Sequence, residues 1–254
     1  MNLRIGFRTL LRREVFRFVG LINQTVIPTI ISALLYILIF GYSLGSRIRE
    51  IDGFPYVHYI LPGLAMMGVI TSAYANTSTS IYVARLERYI EDILVSPLSY
   101  LETALAFVLG GVTRGLLAGG LILGTFLVVG RVELYNIFYI VSFMVVVSVI
   151  FSCLGIIAAL WADKMDHLMV FTNYFIHPLI FLGGVFYSIH MLPEFWEYVS
   201  LFNPILYMVS GLRYGVLGVS DVSPVLSLGL ILLLGAITFW LTVYLFKIGY
   251  KLRL

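Results

Sequence analysis

Between short charged patches, this chain runs again and again through apolar stretches long enough to cross a hydrocarbon core. Phe18 to Ser46, Gly53 to Ala84, Leu134 to Ala162, Leu168 to Pro193 and Val222 to Phe246 contain no Asp, Glu, Lys or Arg, and Thr103 to Gly130 is interrupted only by Arg114. A bilayer core of about 30 Å takes roughly 20 helical residues. The chain therefore reads as an all-α integral membrane protein, a single domain over 1–254 with six transmembrane helices at 19–43, 57–80, 101–129, 135–161, 168–188 and 224–246. Composition agrees: 61% of the residues are hydrophobic, 11% are charged and the mean hydropathy is +1.02, which excludes a soluble domain.

Basic residues set the orientation, because positively charged flanks stay in the cytoplasm. Arg4, Arg8, Arg12, Arg13 and Arg17 precede the first run, Arg85 and Arg88 follow the second, Lys164 follows the fourth, and Lys247, Lys251 and Arg253 end the chain. All fall on one side of a six-span path, against Arg47, Arg49, Arg131 and Arg213 on the other. The expectation is a multi-pass protein with both termini cytoplasmic. The run from Phe18 is too long for a signal-peptide core and is expected to be retained. Cys153 is the only cysteine, so neither an intrachain disulfide nor a Cys-based metal site is available, and a net charge of +3 reflects membrane flanks and not nucleic-acid binding.

Residues 2–17 set Leu3, Phe7, Leu10 and Leu11 near one helical side and spread Arg8, Arg12 and Arg13 over the others. This fits a helix lying at the inner surface, or an ordinary positive flank; Glu14, projecting toward the apolar side, spoils the pattern. TSAYANTSTS, residues 71–80, makes the cytoplasmic half of the second span polar, and Asn76 and Thr77 either pack against neighbours or line a wet path. In ARLERYIEDILVSP, residues 84–97, Leu86, Ile90, Ile93 and Leu94 share a face while Arg85, Glu87, Arg88, Glu91 and Asp92 occupy the rest. A short amphipathic helix over 84–96 results, with a charged surface that is either merely solvated or a dock for a soluble partner.

Gly111, Gly115 and Gly119 clear a stripe on the third span for close helix packing, within the subunit or across a dimer. Arg114 lies well inside that span, where it either faces a substrate path or bonds backbone carbonyls. All thirteen Asp and Glu residues can be placed in loops or at span ends, so no buried carboxylate is expected to carry a proton or sodium ion. His177, before Pro178, reads as structural, and no carbonyl filter of the potassium-channel kind is present. Energy for any transport is expected to come from elsewhere.

Residues 190–218 are greasy but broken. Pro193 opens a helix with Glu194 and Glu197 in its first turns, Asn203 and Pro204 end it and start another, and Gly211, Gly215 and Gly218 loosen the end. Neither half can span. The pair forms a re-entrant outer hairpin packed on protein, or interfacial helices of an ordinary outer loop, with Trp196, Tyr198, Tyr207 and Tyr214 suited to the headgroup boundary.

LGGVFYSIHMLPEFWEYVSLFNPILYMVSGLRYG, from Leu182 to Gly215, resembles the signature of membrane subunits of ABC-2 type exporters, and IEDILVSPLS, residues 90–99, resembles that family's coupling segment. IFGYSLGSRI after the first span and LPGLAMMGVITSAYAN within the second span are similar to its bacterial multidrug or efflux branch. The resemblance implies an amphipathic elbow helix, six membrane helices, a coupling helix and a re-entrant outer hairpin, the architecture also called type V exporter-like. It implies a dimer with a second copy or a related permease around a translocation path in the inner membrane, with ATP-binding cassette ATPase subunits beneath. This chain carries no Gly-rich phosphate loop ending in Lys-Ser or Lys-Thr, so ATP and Mg would be held by the partner, and the chain itself is not expected to be an enzyme. In the family picture Arg85, Glu87, Arg88, Glu91 and Asp92 sit in the ATPase cleft, and Asp163, Lys164 and Asp166 make a lesser contact. The hairpin, with Phe186, Tyr187, Phe195, Trp196, Asn203, Pro204 and Tyr207, forms the outer gate. The implied cargo is hydrophobic, amphipathic or lipid-linked. The alternatives are export of lipid-linked polysaccharide, a passive channel and a membrane scaffold.

Overall fold

The computed structural model describes residues 3–20, 22–44, 50–130 and 134–252. Arg47, Arg49, Arg131 and Arg253, which entered the orientation argument, lie outside the described residues, as does the end of the IFGYSLGSRI motif. Among the described residues the regular structure is helical apart from one hairpin of two two-residue strands. In order come α1 (Leu3–Val19), α2 (Ile22–Tyr36) with a π-helical continuation (Ile37–Leu44), the hairpin β1 (Glu50–Ile51) and β2 (Phe54–Pro55), and α3 (Tyr56–Leu86). Next are α4 (Ile90–Val95), α5 (Tyr100–Gly130), α6 (Ile137–Trp161), and α7 (Met165–Phe171), which passes through a π turn (Thr172–Ile176) into α8 (His177–Leu182). A 3-10 turn (Ile189–Met191), α9 (Glu194–Leu201), α10 (Pro204–Leu217) and α11 (Pro224–Ile248) complete it.

Local chemistry places most of these boundaries. Asp52 (φ 50°) and Gly53 (φ 79°) both take the left-handed conformation of the tight turn that pairs Ile51 with Phe54. Asn136 caps α6 by accepting hydrogen bonds from Phe138 N–H (3.0 Å) and Tyr139 N–H (3.5 Å). Asn203 does the same for α10 through Ile205 N–H at 3.0 Å, with Pro204 in the first helical turn, and Gly218 (φ 79°) ends that helix. The π turn at 172–176 ends at His177-Pro178, where the proline removes a backbone donor that a regular helix would need.

Among the described residues, four helices, α3, α5, α6 and α11, are long and apolar enough to cross a membrane by themselves. The two remaining expected spans correspond to α2 with its continuation and to α7 through α8, each interrupted by π-helical turns. The helix expected over 84–96 is in fact two pieces: α3 runs on to Leu86, the chain reverses through Arg88 at φ 61°, and α4 is only Ile90–Val95.

α3 is the centre of the bundle, flanked by α5 and α6, with α1 laid against α5 and α10 inserted among α3, α6 and α11. Lipid is as apolar as leucine, so close backbone approach and internal hydrogen bonds hold such helices together. The seam shows the close approach, while hydroxyls on it bond within their own helix. A Cβ on Gly111 would lie 2.2 Å from Ser152 Oγ, one on Gly155 2.6 Å from Tyr74 O, and one on Gly211 1.9 Å from the Phe143 ring. Thr71, Thr77 and Ser78 return their hydroxyl protons to carbonyls of α3 itself, at Met67 (2.8 Å), Ala73 (3.3 Å) and Ala75 (3.4 Å).

Candidate functional site

Chemistry gathers at the two ends of α3. At its C-terminal end, Glu87, Arg88, Glu91 and Asp92 are exposed together with Leu86, Leu94 and Val95, while Ile90 and Ile93 turn inward and fasten α4 to the bundle. The outcome is a small charged knuckle with apolar side chains on its surface, Val95 being 83% exposed. Arg85 does not belong to that surface. It is 2% exposed and donates to Ala159 O (2.5 Å) and Ala162 O (3.0 Å), satisfying carbonyls that α6 leaves open at its C-terminus. The neighbouring loop is exposed at Asp163, Lys164 and Asp166, and Lys251 of the C-terminal tail donates to Asp163 Oδ1 (2.9 Å) and Trp161 O (3.3 Å). The tail's ammonium holds the Asp163 carboxyl below the usual carboxylate range, first by its hydrogen bond and then by its charge.

Beside the knuckle, α1 is clamped and not free. Its side toward α5 includes Leu10, Phe18 and, against expectation, Glu14, which is 0% exposed. Ser80 Oγ donates to Glu14 Oε2 at 2.6 Å, Arg17 lies 3.5 Å from the same oxygen, and Arg17 also donates to Asn76 O (2.8 Å) and Asn76 Oδ1 (2.9 Å). Further along, the Arg13 guanidinium sits 4.2 Å from the Tyr89 ring centre, joining α1 to the turn before α4. Glu14 is thus a buried carboxylate on α1, outside the six expected spans to which the expectation of no ion-carrying carboxylate applied. Glu14 fits because Gly110 on α5 has no side chain: a Cβ there would stand 2.8 Å from Glu14 Cβ. The misplaced acid in an otherwise apolar face, with Arg17 three residues on, was its only trace in the sequence.

Asn76 and Thr77 take packing positions, Asn76 on Arg17 and Thr77 against Gly111 and Gly155. Gly111, Gly115 and Gly119 of α5 close on α3 and α6 of the same chain, so the small-residue stripe is internal. Arg114, on the same helix, is half-buried. The adjoining face of α3 stays open. There Thr71, Tyr74 and Ser78 face Thr172, Asn173 and His177 across a groove of about 590 Å³ whose remaining lining is largely Met and Leu. The groove is lined by hydroxyls, one amide, one imidazole and thioethers, a mixed polar and apolar surface.

At the N-terminal end of α3 a second set of elements converges. Phe186 stacks between Phe40 and Phe181, and the Tyr187 hydroxyl donates to Phe181 O at 3.0 Å. Asn203 Nδ2 donates to Leu179 O at 2.6 Å and the Tyr207 hydroxyl to Leu201 O at 2.8 Å, folding α9 and α10 back on α8. Phe195 and Trp196 are exposed on α9, Pro204 is exposed, and Phe202 is 89% exposed. α10, by contrast, is core. Arg213, counted in the sequence among loop charges, is fully buried and pairs with Asp221, their side chains 0% and 1% exposed.

A family model for the ABC-2 type transporter matches residues 6–217. The chain belongs to the ABC-2 type transporter family. Over 227 residues, covering 89% of each chain, it is 38% identical to the inner membrane transport permease YadH of Escherichia coli (strain K12). It is also similar to Nodulation protein J of Rhizobium meliloti (strain 1021), at 23% identity over 226 residues covering 86% of this chain and 82% of the relative. As a member of this transporter family with several apolar helices, the chain is a multi-pass transmembrane transport subunit.

Proposed function

We propose that the chain is the membrane subunit of an ATP-driven exporter in the inner membrane, working as a dimer with a second copy or a related permease above separate ATP-binding cassette ATPases. α2 with its continuation and α7 through α8 complete six spans, α1 is the elbow helix, both termini are cytoplasmic, and residues 190–218 re-enter from the outer side. The observation that carries the reading is a single one. The uninterrupted helix α3 ends in an exposed charged knuckle at one end and grips the outer turn at the other. Glu87, Arg88, Glu91 and Asp92 engage the ATPase, whereas Arg85 holds the knuckle to α6. ATP closes the ATPases, the knuckles move with them, and two packed arrangements of the bundle exchange relative stability; hydrolysis resets the cycle.

The cargo enters the groove between α3 and α7–α8, and its mixed hydroxyl, aromatic and thioether lining favours a hydrophobic, amphipathic or lipid-linked molecule. The test is reconstitution of the chain with the ATPase that co-purifies with it, in vesicles offered lipophilic drugs and lipid-linked glycans. Uptake should require ATP, and reversing the charges at Glu87, Arg88 and Glu91 should abolish uptake while leaving membrane insertion intact. Uphill transport by the purified chain alone, or full transport by the reversed variant, rejects the reading.

A further inference from the structure

The outer end of α3 meets a hub built on the buried pair Arg213 and Asp221. Both belong to α10 and the loop after it, so the pair closes that corner on itself. Arg213 also donates to Gly184 O at 2.5 Å, and Ser188 Oγ donates to Asp221 Oδ1 at 2.6 Å, which ties the turn after α8 to the same corner by charge-assisted bonds. The contact from α3 is of another kind. Tyr59, fully buried, lies with its ring 4.0 Å under the Arg213 guanidinium, and its hydroxyl donates to Asp221 Oδ1 at a longer 3.3 Å. Around it, the Tyr56 hydroxyl donates to Phe186 O at 3.0 Å, and Gly63 lets the turn approach so closely that a Cβ would lie 2.5 Å from Val185 O.

Separating Arg213 from Asp221 strands two charges in a dry interior, and separating the turn from either breaks a short charge-assisted bond; separating Tyr59 from them breaks only a ring contact and a 3.3 Å bond and leaves the rest of the hub in place. The weak plane at the outer end therefore runs between α3 and everything the hub holds. We propose that Tyr59 is the positioning residue of the outer gate: its ring and hydroxyl hold the Arg213–Asp221 hub, and with it the turn 183–188, against α3, and release is the opening of the gate. Because α3 continues unbroken to Leu86, the same helix presents the knuckle at its other end. The drive from ATP and the outer placing of this gate rest on the function proposed above; the hold of Tyr59 on the hub does not.

Val185 offers a direct readout, being fully buried against Gly63, and the single native thiol, Cys153, is buried in α6. A Val185→Cys chain, reconstituted with its ATPase, is exposed to a membrane-impermeant maleimide from the outer side. Without nucleotide, Tyr59→Leu should raise the labelling rate about tenfold, the population shift expected when a desolvated cation–π contact is lost. Tyr59→Phe, which keeps the ring face, should fall between, and this graded order separates release of the turn from general unfolding. Unchanged Cys153 reactivity in Tyr59→Leu without the Val185 substitution confirms that the bundle is intact. If Tyr59→Leu labels no faster than its parent, or Tyr59→Phe labels as fast as Tyr59→Leu, the latch is wrong. If the latch variants behave as stated but ATP changes neither labelling nor transport in the parent, the latch stands and the ATP-driven reading fails.

Discussion

Glu14 Oε2 accepts a 2.6 Å hydrogen bond from Ser80 Oγ across the contact between α1 and α3, with the Glu14 side chain out of reach of solvent. A carboxylate survives in such a place only when it is paired and bonded, and Arg17 supplies the charge. Glu14→Ala should lower stability by about 1–3 kcal/mol, because Ser80 and the quarter-exposed Arg17 lose their partner together. Glu14→Gln, which keeps a hydrogen-bonding oxygen, should cost less. In thermal unfolding in detergent, Glu14→Ala and Ser80→Ala should combine to less than the sum of their separate effects. Strict additivity would show that the two side chains do not act on one another.

Arg85 and Glu91 are close in sequence and opposite in consequence. Arg85→Met strips donors from Ala159 O and Ala162 O at the end of α6 and should cost about 1–3 kcal/mol in unfolding measurements. Glu91 is exposed, so Glu91→Gln should change stability by no more than about 0.5 kcal/mol. Under the proposed function its effect should appear instead in nucleotide hydrolysis by the complex with the ATPase. A Glu91→Gln chain that melts like Arg85→Met would overturn this division of the knuckle into a surface and an anchor.

What could be read in advance was local. The apolar runs, the break at Asn203-Pro204 and the glycine ending α10 depend on residues a few positions apart, and the structure uses each of them. What could not be read was long-range or geometric. Glu14 looked like a flaw in an amphipathic face because its partner Ser80 lies 66 positions away. Arg213 looked like a loop charge because only the fold turns it toward Asp221 and Tyr59. The same limit applied to the knuckle: an amphipathic pattern runs through 84–96, and no propensity rule announces that Arg88 adopts a positive φ and splits it. For the glycine stripe, spacing gave the close approach but not the partner, which is α3 and α6 of the same subunit.

The C-terminal tail should let go of the bundle at acid pH. Asp163 is bonded to Lys251, and its carboxyl titrates below the usual carboxylate range. A group whose folded-state pKa is depressed stabilises the contact above its unfolded value and loses that contribution as pH falls through the folded one. Protection of the backbone at 249–252 should therefore hold through neutral pH and fade only below the usual carboxylate range, and sooner at high salt because the pair is largely exposed. Hydrogen exchange across a pH series checks this. Asp163→Asn should show weak protection at every pH; a wild-type profile that fades near neutrality would implicate another group.

Gly111 and Gly120 lie on one helix and face opposite surroundings. A Cβ at Gly111 would stand 2.2 Å from Ser152 Oγ and 2.7 Å from Thr77 Cγ2, so Gly111→Ala must push α5 from α3 and α6 or force those side chains off their rotamers. Overpacking of this kind typically costs about 1–3 kcal/mol. A Cβ at Gly120 meets nothing within 4 Å, and alanine is the better helix former by about 0.8–1.0 kcal/mol, so Gly120→Ala should leave the melting temperature unchanged or raise it. The nearest obstacle at Gly111 is a single hydroxyl, which makes a rescue possible: Ser152→Gly in the Gly111→Ala background should recover much of the loss, since it removes that oxygen and its Cβ at 3.0 Å. Recovery limited to this pair, measured against Ser152→Gly alone, would place the cost in the α5–α6 contact. If Gly111→Ala were harmless in detergent and in membranes, the seam would be looser than these distances require, and the proposed transmission along α3 would lose its firm flank.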